Sequence, residues 1–228
     1  MAGGAGGLYA DFMTDRTDWA DRTEQAVLDA AIRLAPSLGW SPRLVERASA
    51  DQGLSKGDAE LLFPHGPRDL AALLSRRHDR QALDALPDPA GLKIRERIAR
   101  GVQARLEAAA AQQDAARRWA GFLALPQNAP LALKLAWVSA DAIWRWAGDT
   151  ATDENHYSKR AILSGILIPA LSIRLTQGRL AAEGFVAARI ENVMQFEKWK
   201  AGIKPSRAAH EIARALGEAR FDGGTPNP

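Results

Sequence analysis

The chain predicts an all-α fold of about nine or ten helices, and three observations carry that reading. Ala and Leu are abundant, β-branched runs are few and aromatic residues make up only 7%, a balance that favours helix over sheet. Apolar residues recur three and four apart through long segments, the period of a helix with one buried side. Prolines and glycines mostly fall between those segments, where they mark helix ends.

The first amphipathic segment is Asp21 to Leu38, with Ala26, Val27, Ala30, Ala31 and Leu34 on one stripe. Gly39 closes it despite Pro36 in the last turn. Ser41-Pro42 opens a short helix that ends near Gln52-Gly53, since proline suits the first helical position. Ser55 caps a third helix reaching about Phe63, and Pro64, Gly66 and Pro67 separate it from a fourth, Arg68 to Leu86. After Leu86-Pro87-Asp88-Pro89, the span Ala90 to Ala120 holds one or two helices rich in Ala, Arg and Glu. Gly121 to Pro130 reads as a loop. Leu131 to Trp146 is apolar on most faces and is expected to be buried on more than one side, with Gly148 ending it. Thr152 or Asp153 starts a central helix reaching about Gln177, with Pro169 inside it and a kink expected there. Phe185 to Lys200 is a further helix, and Pro205 opens a last one ending near Phe221.

Composition excludes several classes. With no cysteine the chain has no disulfide, thiolate metal site or cysteine nucleophile. A net charge of +3 is too mild to identify a nucleic-acid binder. Met1 to Asp15 lacks a basic region and a long apolar run, so it reads as a disordered leader and as no targeting sequence. The most apolar uncharged stretch, Ala161 to Ile173, falls well short of the roughly 20 residues needed to cross a bilayer. Asp149, Asp153, Glu154 and His156 suggest a metal cluster at first sight. A helical di-iron site needs Glu and His three apart on two helices, and Glu154 and His156 are two apart with no second pair. Helix termination and capping explain these polar residues, and no metal or cofactor site is expected. No nucleophile elbow, P-loop or dinucleotide fingerprint is present, which argues for a protein that is not an enzyme.

Two constellations carry resemblances. Val27-Leu28-Asp29-Ala30-Ala31, Gly39-Trp40, Gly53-Leu54-Ser55-Lys56-Gly57 and Phe63-Pro64 together resemble the DNA-binding domain of tetracycline-repressor-type regulators. That likeness implies a tetracycline-repressor-like helical scaffold. Charge argues against a DNA reader: from Trp40 to Leu70, Arg43, Arg47, Lys56 and Arg68 face Glu46, Asp51, Asp58, Glu60 and Asp69. The second constellation is Leu125-Pro126-Gln127-Asn128-Ala129-Pro130, then Asp141-Ala142-Ile143-Trp144, Ala147-Gly148-Asp149, Asp153, Asn155, Tyr157 and Arg160-Ala161. It resembles the ubiquinone-biosynthesis accessory family, usually called the ninth Coq protein, over about residues 21 to 203. The chain departs from the family pattern at His156, where a tryptophan is usual, at Ile166-Leu167-Ile168-Pro169-Ala170, and at Gln177-Gly178-Arg179.

The resemblance implies a non-catalytic protein that binds an isoprenoid quinone lipid and docks a ubiquinone-pathway hydroxylase at a membrane surface. It divides the chain into a leader (1–17), a helix-turn-helix-like part (18–86), a helical lipid-binding core (87–204) and a C-terminal amphipathic helix and tail (205–228). A homodimer is the expected assembly, cytoplasmic and peripheral to the inner membrane of a bacterium. For lipid binding the candidates are Leu131, Leu135, Val138, Ile162, Ile166 and Leu171, which recur at helical spacings, and the resemblance implies a closed apolar cavity among them, between 131–146 and 157–175. A plain packed core fits the same spacings. The family's docking motif implies partner contacts at Leu125, Pro126, Asn128, Asp141 and Trp144. Asp141 and Trp144 lie three apart on one helix face. Trp144 and Trp146 point in different directions, so at least one tryptophan of this helix is expected near the surface. In the tail, Ala208, Ile212, Leu216 and Ala219 form a thin apolar stripe that suits either weak membrane contact or packing on the body. The competing function is a ligand-responsive transcriptional regulator on the same scaffold.

Overall fold

The structure is a computed structural model, which describes the backbone of residues 5–150 and 154–202 and the side chains of 19–150 and 156–192. Among the described residues there are nine α-helices, one 3-10 turn and no strand: α1 Ala5–Leu38, α2 Pro42–Ala50, α3 Lys56–Leu62, α4 Pro67–Asp84, α5 Ile94–Ala110, α6 Gln113–Leu123, α7 Ala129–Trp146, α8 Glu154–Thr176 and α9 Arg179–Gly202. The all-helical expectation holds.

Most boundaries follow the local chemistry. Gly39 adopts φ +69° and ends α1, and Ser41 caps α2 by accepting from the Leu44 amide ahead of Pro42. Ser55 caps α3 in a reciprocal box: its hydroxyl accepts from the Asp58 amide while the Asp58 carboxylate accepts from the Ser55 amide. Gly148 (φ +88°) closes α7. Three spans differ from expectation. α1 begins at Ala5, so its backbone is helical through most of the stretch assigned to the leader; from Leu8 to Ala35 the sequence holds no proline or glycine to stop it. The span 121–130 is not an extended loop, because α6 continues to Leu123 and Pro126–Asn128 form a 3-10 turn leading directly into α7. α8 passes through Pro169 without interruption. The expected caps Thr152 and Asp153, and the tail helix from Pro205 with Ala208, Ile212, Leu216 and Ala219, lie outside the described residues.

Residues up to Val186 make one compact unit. Its main apolar cluster joins Val27, Leu28 and Ala31 of α1, Leu44 of α2, Leu70 and Leu74 of α4, Trp119 of α6 and Leu135 of α7. This core therefore runs across the Leu86–Pro89 break, which is a connection between helices. α4 packs on both α5 and α7, and α7 lies along α8. The second unit begins at Ala187, where the described residues continue α9 as helix. No helix among the described residues is long and apolar enough to cross a membrane.

Candidate functional site

The back of the first unit holds a cavity of about 410 Å³ bounded by α4, α5, α6, α7 and α8. Its middle is aliphatic, lined by Leu106, Leu135, Ala136, Leu167, Leu171 and Leu175. One end is deeply buried and polar, where Ser75, Arg105, Trp119 and Ser139 meet. The other end opens beside Gly121, Ala124, Ile168, Ser172 and Thr176, all exposed. A volume in the range of about 300–1,000 Å³, mostly apolar with a few convergent polar groups, is the usual form of a small-ligand site.

The buried end is a hydrogen-bonded cluster. Arg105 Nε donates to Asp79 Oδ1 at 2.6 Å and Nη2 to Ser75 Oγ at 3.3 Å, while Ser139 Oγ donates to the same Asp79 oxygen at 2.6 Å. Trp119 Nε1 donates to the Ala71 carbonyl, and its ring meets His78 edge-on at 5.5 Å and the Arg105 guanidinium at 5.9 Å. His78 is fully buried, and among the described residues neither of its ring nitrogens nor Asp79 Oδ2 has a hydrogen-bond partner. Burial first, then the charges of Arg105 and Arg77, hold the His78 pKa well below its usual 6.5. It is therefore a neutral ring at physiological pH.

Of the six lipid-binding candidates, Leu135 and Leu171 line this cavity. Ile166 is buried outside its lining, and Leu131 is half-buried against the main core. Val138 (43% exposed) and Ile162 (40%) stand on the surface, so they belong to no interior wall. The cavity is open at one end, where a closed one was expected, and the helices around it include α4, α5 and α6 as well as α7 and α8. The sequence reading missed Arg105, Ser75, Ser139, Asp79, His78 and Trp119. A signal existed for one of them: His78 falls four residues from both Leu74 and Ala82, on the buried stripe of α4.

The five docking candidates occupy two places. Leu125 and Pro126 are exposed, but Asn128 is only 2% exposed: it donates to the Phe122 carbonyl and accepts from Arg68 Nε, while Arg68 Nη2 donates to the Gln127 carbonyl. Asn128 is thus a brace between α4 and the turn, not a surface contact. Asp141 lies twelve residues along α7 from Ala129, about 18 Å at 1.5 Å per residue. Trp144 is half-buried, donates from Nε1 to the Lys159 carbonyl and carries the Lys159 ammonium 5.3 Å above its ring. Trp137 and Trp146 are half-buried too, so none of the three tryptophans of α7 is fully on the surface.

Around Trp144, α7 and α8 are joined by charge. Arg160, 1% exposed, donates from Nε to Asp141 (2.7 Å) and from Nη1 to Asp149 (2.8 Å); Lys159 reaches the other oxygen of Asp149 at 2.6 Å, and Arg145 the other oxygen of Asp141. Burial pushes both carboxyls up, but hydrogen bonds from Arg160, Lys159 and Arg145 outweigh it and hold both below the usual carboxylate value. Those residues of the family-like constellation, Asp141, Trp144, Asp149 and Arg160, are therefore one α7–α8 clasp. A profile of the COQ9 family matches residues 129–197, which spans α7, the clasp and α8. Over that span the chain resembles the COQ9 family. It is similar to the ubiquinone biosynthesis protein COQ9, mitochondrial, of Xenopus tropicalis, 29% identical over 154 residues that cover 64% of this chain and 49% of the relative. The human protein of that name is 26% identical over 154 residues, covering 64% and 48%, and the Drosophila melanogaster one 26% over 180 residues, covering 73% and 55%. The chain spans about half the length of the curated relatives it matches.

Proposed function

We propose that this chain is a non-catalytic lipid-binding accessory protein of ubiquinone biosynthesis, which holds an isoprenoid quinone intermediate and presents it to a ring hydroxylase at a membrane surface. The observation that supports it is the open aliphatic cavity between α6, α7 and α8, which leads from solvent to a polar buried end. The names of the COQ9 relatives support the pathway. In this reading the hydroxylase contacts Leu125 and Pro126, which are exposed on a turn braced by Asn128 and Arg68. The protein works as a homodimer peripheral to the membrane and does no chemistry itself.

Native mass spectrometry of the purified chain, followed by lipid extraction, tests the ligand. An isoprenoid lipid is expected to copurify, and Leu171→Trp, which puts a large ring into the cavity wall, is expected to reduce occupancy at unchanged helicity. A chain that binds no lipid when refolded with an isoprenoid quinone would overturn the reading. Leu125→Asp is expected to weaken capture of the hydroxylase without changing lipid content.

A further inference from the structure

The cavity carries polar side chains at both ends, but those at the open end, Arg117, Ser172 and Thr176, reach solvent, whereas Ser75, Arg105 and Ser139 at the enclosed end are buried. We propose that it takes its ligand head first: an uncharged, oxygen-bearing head group sits against Arg105, Ser75 and Ser139, and the apolar tail runs outward past Leu171 and Ile168. This rests on the lipid-binding reading above and adds the orientation and the charge of the ligand as it is carried; presenting the ring to a hydroxylase then requires the ligand to leave the buried end.

The hydrogen-bonding capacity left at the buried end points to an oxygen acceptor. Arg105 has five N–H donors in a rigid fork. Nε is committed to Asp79 and Nη2 to Ser75, and no bond from Nη1 is made among the described residues. Ser75 accepts from Arg105 and keeps its own proton without an acceptor there. Both side chains are more than nine-tenths buried and both line the cavity. Donor capacity that faces a water-poor cavity without a protein acceptor favours an occupant with a carbonyl or hydroxyl oxygen. The charge balance selects among such occupants. Asp79 already neutralises Arg105, and its Oδ2 is buried without a hydrogen bond. A carboxylate or phosphate head would place a second negative charge beside that oxygen in a water-poor site, whereas a quinone or phenol adds none. Leu106, Leu135, Leu167 and Leu171 then form the sleeve for the first part of the tail, and exposed Ile168 marks where it leaves.

Affinity measurements on the full chain with three probes of equal tail test this: 4-dodecylphenol, dodecylbenzene and 4-dodecylbenzoate. The wild type is expected to bind the phenol about tenfold or more tighter than dodecylbenzene, the return for one hydrogen bond to a charged donor. It is expected to bind the benzoate more weakly than the phenol. Asp79→Asn combined with Arg105→Met removes both buried charges together and should bring the phenol preference close to one. If that pair does not fold, Ser75→Ala carries the same test with a smaller expected loss. Arg117→Gln at the open end should leave the preference intact. Equal affinity for phenol and dodecylbenzene, tightest binding of the benzoate, or loss of the preference in Arg117→Gln rather than in the buried variants would each overturn the head-first orientation while leaving lipid binding in place. Failure of all three probes to bind the wild type would instead remove the lipid-binding reading on which it stands.

Discussion

Arg160 sits early in α8 with its guanidinium enclosed between Asp141 and Asp149. Breaking a buried ion pair costs about 3–5 kcal/mol, an upper bound here because Asp149 keeps Lys159 and Asp141 keeps Arg145. Arg160→Met is therefore expected to lower the unfolding free energy read from urea denaturation by up to that much, and adding Asp149→Asn should return part of it. Because both carboxyls titrate below their ordinary value in the folded chain, their contribution is complete above about pH 4 and is lost as the pH falls through the lowered native values. His78 acts in a different window. Its folded pKa is depressed, so on acidification below its usual 6.5 the unfolded chain takes up a proton that the folded chain refuses. Stability is expected to fall by up to roughly 1.4 kcal/mol per pH unit in that range, until the lowered native value is reached. His78→Phe keeps the ring contact with Trp119 and should flatten this slope between pH 6.5 and 5, as read from denaturation midpoints. An unchanged slope would show that another group carries it.

At the scale of the helix, the spacing of α5 and α7 depends on a missing methyl group. A Cβ built on Gly101 would lie 2.6 Å from Ile143 Cγ2. A β-branched side chain inside a helix is held at χ1 and has little room to yield. Gly101→Ala is expected to destabilise by about 1–3 kcal/mol, and Ile143→Ala in the same chain to recover part of that, a coupling a double-mutant cycle measures. Trp144→Ala should also cost stability, about 2–3 kcal/mol, because the ring is half-buried and bonded to α8. A melt unchanged by this substitution would return Trp144 to the docking surface. The helices themselves were legible wherever a cap or a breaker was written in the chain, as at Gly39, Ser41-Pro42, Ser55 and Gly148. The start of α1 was not, because no stop residue lies between Leu8 and Asp21 to mark it. α7 hid its orientation for a related reason. It is apolar on most faces, so spacing alone could not tell that Leu135 points inward and Val138 outward.

Across the whole first unit, one polar cluster joins helices far apart in the sequence: Ser75, His78 and Asp79 from α4, Arg105 from α5, Trp119 from α6 and Ser139 from α7. No local pattern announces such a meeting, since each residue reads by itself as an ordinary member of an amphipathic helix. The family constellation was legible because its residues lie within one stretch, 125–161; that stretch proved to hold the α7–α8 clasp, while the polar end of the cavity lies mostly outside it. The DNA question also belongs at this scale. Asp58 is used to cap α3 and Glu60 pairs with Lys56, so α3 presents little free positive charge. Duplex DNA is expected to show no salt-sensitive shift with this chain, and nanomolar, sequence-dependent binding in a mobility assay would favour a regulator instead.

Pro169 has a consequence in time as well as in space. Lacking an amide proton, it leaves the Gly165 carbonyl without its donor four residues on, so the ladder of α8 is one rung short beside the cavity. The helix is held on either side of that gap, by Arg160 toward its start and, toward its end, by Arg174 on Glu107 and by Gln113 and Arg117 donating to the Leu175 carbonyl. Local opening follows the weakest stretch of backbone, so amide hydrogens just after the gap should exchange with deuterium sooner than those from Ala161 to Ser164. A ligand seated against Leu167 and Leu171 would slow that exchange, and its protection pattern would then show occupancy without any label on the ligand.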